Sequence, residues 1–203
     1  MVQPQRLVVG ITGATGIIFG VRLLELLRDT PIETHLIVSK AADRTRAHEL
    51  ALSARDLRAL AGVDYAINDV GAALASGSFR TLGMIIAPCS VKTLAEIASG
   101  VSSSLLTRAA DVTLKERRRL VLMVRETPLS AIHLRNMLTV TEAGAIVMPP
   151  VPALYTLPKS LDDMVTHTVC RALDLFDIDV GRLQRWGEDI DVRAARAKTD
   201  DTP

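Results

Sequence analysis

Short apolar runs recur along this chain, each separated from the next by a helix-patterned stretch. They are Leu7–Ile11, Thr34–Val38, Met84–Ala87, Leu120–Val124 and Ala145–Met148. Segments this short do not hold a helix by themselves, and their near-continuous apolar character suits strands covered on both faces. Between and after them lie helical periods at Ile17–Leu27, Ala41–Leu50, Ala54–Ala61, Thr93–Ser99, Leu105–Glu116, Leu129–Ala143 and Ser160–Phe176. Strand and helix in alternation predict an α/β fold, a three-layer parallel sheet flanked by helices. Strand order stays open between a Rossmann-like and a flavodoxin-like arrangement.

The chain of 203 residues is read as one domain over 1–189, followed by a charged tail over 190–203. A net charge of +1 gives no general pull toward nucleic acid or membrane. The two cysteines, Cys89 and Cys170, have neither metal-ligand spacing nor a disulfide framework, which fits a reducing cytoplasm. No signal-peptide pattern precedes the first strand, and no apolar run approaches the ~18 to 20 residues that span a bilayer.

In a parallel sheet, ligands bind outside the carboxyl ends of the strands. The residues there are Thr12 to Thr15, then Ser39 and Lys40, then Cys89 to Thr93, then Arg125 to Thr127, and Tyr155 beyond a run of prolines. Two junctions stand out. Ala87-Pro88-Cys89-Ser90-Val91-Lys92 reads as a strand that stops at a proline and opens a helix on Ser90. Thr12-Gly13-Ala14-Thr15-Gly16 is a second such turn. Both expose backbone N–H groups suited to an anion or a polar ring edge. Together the strand ends offer hydroxyls, backbone donors and cations, a set that suits a phosphate joined to a flat polar heterocycle.

Each piece also has a plainer reading. The glycines at 10, 13, 16 and 20 match neither the dinucleotide fingerprint nor a P-loop, and alone mean a tight turn and close packing. Ser39 is equally a helix N-cap. Cys89 reads as a small buried residue and His133 as structural. The run Lys115 to Arg119 reads as a solvated helix end. Arg125-Glu126, at a strand terminus before Thr-Pro, favours function.

From Gly10 to about Trp186 the chain resembles the flavin prenyltransferases of the UbiX type. The resemblance rests on Gly-Ile-Thr-Gly-Ala-Thr-Gly (10–16), Val-Ser-Lys (38–40), Ala-Ser-Gly-Ser-Phe (75–79) and Ala-Pro-Cys-Ser-Val-Lys-Thr-Leu (87–94). It continues through 105–117, Arg-Glu-Thr-Pro-Leu (125–129), His-Leu-Arg-Asn-Met (133–137), Pro-Pro-Val-Pro-Ala-Leu-Tyr (149–155), Ser-Leu-Asp-Asp (160–163) and Arg171 to Phe176. It implies an enzyme that joins a dimethylallyl group from dimethylallyl phosphate to N5 and C6 of reduced FMN. The prenylated FMN then serves UbiD-type decarboxylases. It further implies a homododecamer with sites between subunits, and no metal requirement. Members are not themselves decarboxylases, although many carry that older name.

The resemblance also assigns residues. Gly13, Ala14, Thr15, Ser39, Ser90, Val91, Lys92, Thr93 and Arg125 match FMN contacts. Tyr155 and Arg171 match the grip on the prenyl phosphate, with Lys115 beside them and Arg108 reaching a neighbouring subunit's site. Trp186 matches a tryptophan that helps close the site. Thr15, Glu49, Glu126 and Lys115 match catalytic positions, Glu49 and Glu126 through proton handling. Many relatives have serine at the place of Thr15, which keeps the hydroxyl, and threonine after Glu49, where this chain has Leu50. Two phosphates in one cavity repel, so several protein cations are needed, with arginine favoured where two oxygens are held at once. Two other readings share the fold: an FMN-dependent cysteine-type decarboxylase, and a non-catalytic FMN-binding accessory subunit of a decarboxylase.

Overall fold

The computed structural model describes residues 5–190, so the expected tail from residue 191 onward lies outside the described residues. Contacts along the chain group it into two compact units, Met1–Pro150 and Val151–Pro203.

The first unit is built on one sheet. Its strands are β1 (Arg6–Ile11), β2 (Glu33–Val38), β3 (Val63–Tyr65), β4 (Gly83–Cys89), β5 (Arg119–Val124) and β6 (Ile146–Val147). Helices α1 (Ile17–Leu27), α2 (Lys40–Glu49), α3 (Ala54–Arg58), α4 (Val91–Ala98), α5 (Leu105–Lys115) and α6 (Ala131–Glu142) lie between them in the chain. All pairings are parallel, in the order β3-β2-β1-β4-β5-β6. This is the Rossmann-like order, with the direction of winding reversing between β1 and β4. Leu7 pairs with Thr34 on one side and Gly83 on the other, so β1 is central.

Burial explains why these runs are strands. Every residue of β4 is buried, as are all of β1 and β2 beyond their first residue. On one face Val8, Ile37, Met84 and Ile86 share a core with Leu94 and Ile97 of α4 and with Leu106 and Ala110 of α5. Helix α1 packs on β1 and β4, closely enough that a Cβ on Gly20 would meet the Ala87 carbonyl oxygen at 2.5 Å.

Two elements differ from the sequence expectation. Strand β4 does not stop at its proline but runs through Pro88 to Cys89. Pro88 lacks an N–H, yet its carbonyl accepts from the Thr12 backbone N–H at 3.2 Å and from the Thr12 hydroxyl at 2.8 Å. Pairing with β5 then resumes at Cys89 and Val124 after a register shift. Strand β3 has only three residues, too few to show a period, and takes its conformation from pairing with β2. In the second unit, α7 (Leu161–Asp174) starts at Ser160, whose hydroxyl accepts from the Asp163 N–H while the Asp163 side chain accepts from the Ser160 N–H.

Candidate functional site

A cleft of about 400 Å³ opens at the carboxyl ends of β1, β2, β3 and β4, across the point where the winding reverses. Thr12 and Gly13 line it from the end of β1, with Ser39, Lys40 and Arg44 from β2 and α2. Ile67 and Asn68 follow β3, Ser90, Lys92 and Thr93 follow β4, and Ser104 and Thr107 belong to the start of α5.

Local hydrogen bonding sets this lining. Ser39, Ser90 and Ser104 are N-caps whose hydroxyls accept from the N–H of Ala42, Thr93 and Thr107. Three helix starts therefore open on one cleft, each with N–H groups not used within its own helix. Thr12 joins two strand ends, because its hydroxyl also accepts from the Ser90 N–H at 2.7 Å. Gly13 is required by close packing: a Cβ there would lie 2.4 Å from the Ala41 Cβ. The size, hydroxyls and cations of the cleft fit a phosphate ester with a flat polar body.

Of the residues expected at the strand ends, Thr12, Gly13, Ser39, Lys40, Ser90, Lys92 and Thr93 meet in this cleft. Val91 is the first residue of α4, and Lys92 is 80% exposed and paired with Glu96 at 3.3 Å. Ala14 and Thr15 lie in the turn before α1. There Thr15 donates its hydroxyl to Glu49, and Glu49 accepts from the N–H of Gly16 at 3.0 Å and of Ile17 at 2.9 Å. The N-cap of α1 is Gly16, with φ 96°, and has no side chain to offer. Glu49 supplies the missing acceptor from the far end of α2 and brings two of the expected catalytic residues into contact.

Arg125 and Glu126 leave β5 at the same sheet edge but do not line the cleft, which is built on the neighbouring strands. The Arg125 N–H extends the β4 pairing by donating to the Cys89 carbonyl. Lys115 sits at the other end of α5, just before β5 begins, about 15 Å along the helix axis from Leu105. It pairs with Glu116 beside the 75–79 turn. Arg108 bonds Asp111 and the Ala75 carbonyl, and Arg118 bonds the Gly77 and Phe79 carbonyls. These cations clasp that turn, and none of them lines the cleft of its own chain. Burial pushes the Cys89 thiol up to about 12, so it stays protonated and is no nucleophile.

The second unit gathers the other expected residues. Tyr155 meets His167 edge to face at 6.0 Å between ring centres and Trp186 at 5.1 Å. Arg171 lies one helical turn after His167, on the same side of α7. Its guanidinium bonds Asp174, which Arg185 also bonds. The Arg185 hydrogen bond, with both guanidinium charges, holds the Asp174 carboxyl below its usual range.

Sequence reasoning missed Arg44, Asn68, Ser104, Thr107 and Arg185. Ser104 closes a Ser-Ser-Ser run before a helical period and was legible as a cap. Asn68 was hidden because β3 was. Arg185 has no local pattern that reveals its partner.

The flavoprotein family model matches residues 1–188. A flavin prenyltransferase UbiX of Neisseria meningitidis is 55% identical over 182 residues, covering 90% of this chain and 96% of that protein. A crystal structure of AnUbiX in complex with FMN and dimethylallyl pyrophosphate superposes with a TM-score of 0.90 at 53% identity, covering 91% of this chain and 98% of the other. A dodecameric FMN-dependent UbiX-like decarboxylase from Escherichia coli O157:H7 superposes at 0.88 with 51% identity, covering 90% and 99%.

Proposed function

Because the chain belongs to the flavoprotein family and, within it, to the UbiX flavin prenyltransferases, we propose that it joins a dimethylallyl group from dimethylallyl phosphate to N5 and C6 of reduced FMN. The product serves UbiD-type decarboxylases. The observation that carries this reading is the cleft at the sheet's reversal point, where three helix starts and several hydroxyls and cations face one volume. When bound, reduced FMN supplies the electron-rich ring that accepts the prenyl group.

The chain's own residues have separate tasks in this reading. Gly13, Ala14, Thr15, Ser39, Ser90 to Thr93 and Arg125 hold the flavin. Tyr155 and Arg171 hold the prenyl phosphate, and Trp186, edge-on to Tyr155, covers that end against water. Alkyl phosphate leaves poorly, so cations on the departing oxygens give the main acceleration. Glu49 Oε1 takes a proton through the Thr15 hydroxyl that it already binds. Glu126 is a second carboxylate for proton transfer.

Lys115 acts on the cleft of another copy, since its own lies at the other end of α5, and so does Arg108, whose side chain is turned from its own cleft to Asp111 and the Ala75 carbonyl. A homododecamer in the cytoplasm, with residues 1–189 as its flavin-binding domain, accommodates this. Helix α6 supports self-assembly: Leu134 and Leu138, one turn apart on the same side, are 53% and 58% exposed, and Ile132 on the other side is 65% exposed, more bare apolar surface than a lone chain needs. Among the described residues no helix is long and apolar enough to cross a membrane.

The test is mass spectrometry of the flavin after anaerobic incubation with reduced FMN and either dimethylallyl phosphate or the pyrophosphate. Gain of one prenyl unit supports the reading, and the better donor identifies the phosphate end. Bound but unmodified FMN with both donors would make the chain an accessory subunit. Carbon dioxide released from a cysteine-ended peptide would make it a decarboxylase.

A further inference from the structure

Residues 179–190 follow α7 and form no helix or strand beyond one bridge between Trp186 and Ile190. Their hydrogen bonds close a small turn around Arg185. Its carbonyl accepts from the N–H groups of Glu188, Asp189 and Ile190, and its own N–H donates to the Asp189 carboxylate at 2.8 Å. Among the described residues, one hydrogen bond ties this segment back to α7, from Arg185 Nη2 to Asp174 Oδ1 at 2.5 Å. The other oxygen of Asp174 accepts from Arg171. Trp186, next to Arg185, is 59% exposed and meets Tyr155 edge to face at 5.1 Å. A ring that exposed gains little from burial, so its place is set by the turn that carries it. An ion pair near the surface stabilises a fold little, so a carboxylate shared by two guanidiniums is better explained by placement.

Resting on the reading above, in which Tyr155 and Arg171 hold the prenyl phosphate, we propose that Arg185 is a positioning residue: through Asp174 it fixes Trp186 against Tyr155 and joins that cover to the cation on the phosphate. With the cover fixed, the flavin meets the allylic carbon and water is kept out. With the cover loose, hydrolysis competes. A water oxygen bonds to the allylic carbon, the bond from that carbon to the phosphate oxygen breaks, and the departing phosphate takes up the proton released. The products are dimethylallyl alcohol and inorganic phosphate.

The experiment compares the full chain with Arg185→Ala, Arg185→Lys, Asp174→Asn and the double variant Asp174→Asn with Arg185→Ala. It has two readouts. One is the fluorescence anisotropy of Trp186, the single tryptophan of the chain, without any ligand. The other is the ratio of dimethylallyl alcohol to prenylated FMN after anaerobic turnover. Arg185→Ala should lower the anisotropy and raise the ratio about tenfold, as expected for loss of one charge-assisted hydrogen bond. Arg185→Lys should recover part of both, which a merely misfolded variant would not do. Adding Arg185→Ala to Asp174→Asn should raise the ratio no further, because the two residues act through one bond. An unchanged ratio or an unchanged anisotropy in Arg185→Ala, or effects that multiply in the double variant, would overturn the assignment. Failure of the flavin reading is a separate result: the unsubstituted chain would then form no prenylated FMN, while the anisotropy still tests the tie between Arg185 and Asp174.

Discussion

In the sheet unit, the polar groups of the cleft are fixed by backbone, whereas in residues 151–190 the expected site residues are fixed by one another. Ser39, Ser90 and Ser104 are held because their helices begin where strands end, and Thr12 ties β1 to β4 through the Pro88 carbonyl. Tyr155, His167 and Trp186 lean on each other edge to face, and Arg171 and Arg185 share Asp174. The first arrangement needs many distant strand pairings, and its side chains bond mainly to backbone groups. The second depends on a few side chains that bond to one another. Single substitutions should therefore separate the two regions cleanly.

The largest effect is expected at Arg171. Its replacement by alanine leaves a phosphate short of a charge-assisted partner, a loss of about 1.5 to 3 kcal/mol, so prenyl transfer should fall roughly ten- to over a hundredfold. FMN affinity should stay the same. If flavin binding fell as far as turnover, the two regions would not be functionally separate and the comparison would break.

The converse test is Gly13→Val. The added side chain would displace Ala41, whose Cβ already stands 2.4 Å from where the new Cβ must go. Overpacking of this kind costs about 1 to 3 kcal/mol, and it should appear as FMN affinity reduced roughly tenfold or more. Intact FMN affinity would mean that the turn can yield and that backbone placement matters less than argued.

Glu49 sharpens the comparison, because it belongs to the sheet unit yet works through its side chain. Removing the carboxylate as Glu49→Ala uncaps α1 at a cost of about 1 kcal/mol, which lowers Tm by about 2 to 4 °C. Prenyl transfer should fall much further than that loss explains. A matching, small fall in both would leave Glu49 as a helix cap only.

The smallest effect lies at the opposite edge of the sheet, where His35 is 2% exposed and its Nδ1 lies 2.9 Å from the Tyr65 hydroxyl. Burial holds its imidazole below the usual value, with Arg6 adding to this and Glu33 opposing it. An unfolded imidazole takes a proton at about 6.5, while the folded one takes it only at lower pH. The unfolded state then binds more protons below about pH 6.5, and stability drops as pH falls through that window. Melting curves at pH 7.5 and 5.5 for the natural chain and His35→Asn provide the check. The variant should be less sensitive to acid, and identical pH profiles would remove His35 from the account. FMN affinity should be the same for both chains at either pH.

Much of this was legible before any fold was known. Alternating apolar runs and helical periods determined the α/β class, and Ser39, Ser90 and Ser160 were caps in sequence and are caps in space. Local chemistry suffices there, since a cap and its partner lie three residues apart. The long shared motifs determined the family and, with it, the activity. Only the tertiary structure decided the order β3-β2-β1-β4-β5-β6, which brings residues after β3 and β4 to one cleft and leaves Arg125 outside it. It alone joined Glu49 to Thr15 and Asp174 to Arg185, and it alone carried Lys115 to the far edge of the sheet. The physical reason is range: strand pairing and side-chain contact between distant segments follow from how crossovers wind and cores pack, and neither leaves a period or a spacing in the chain.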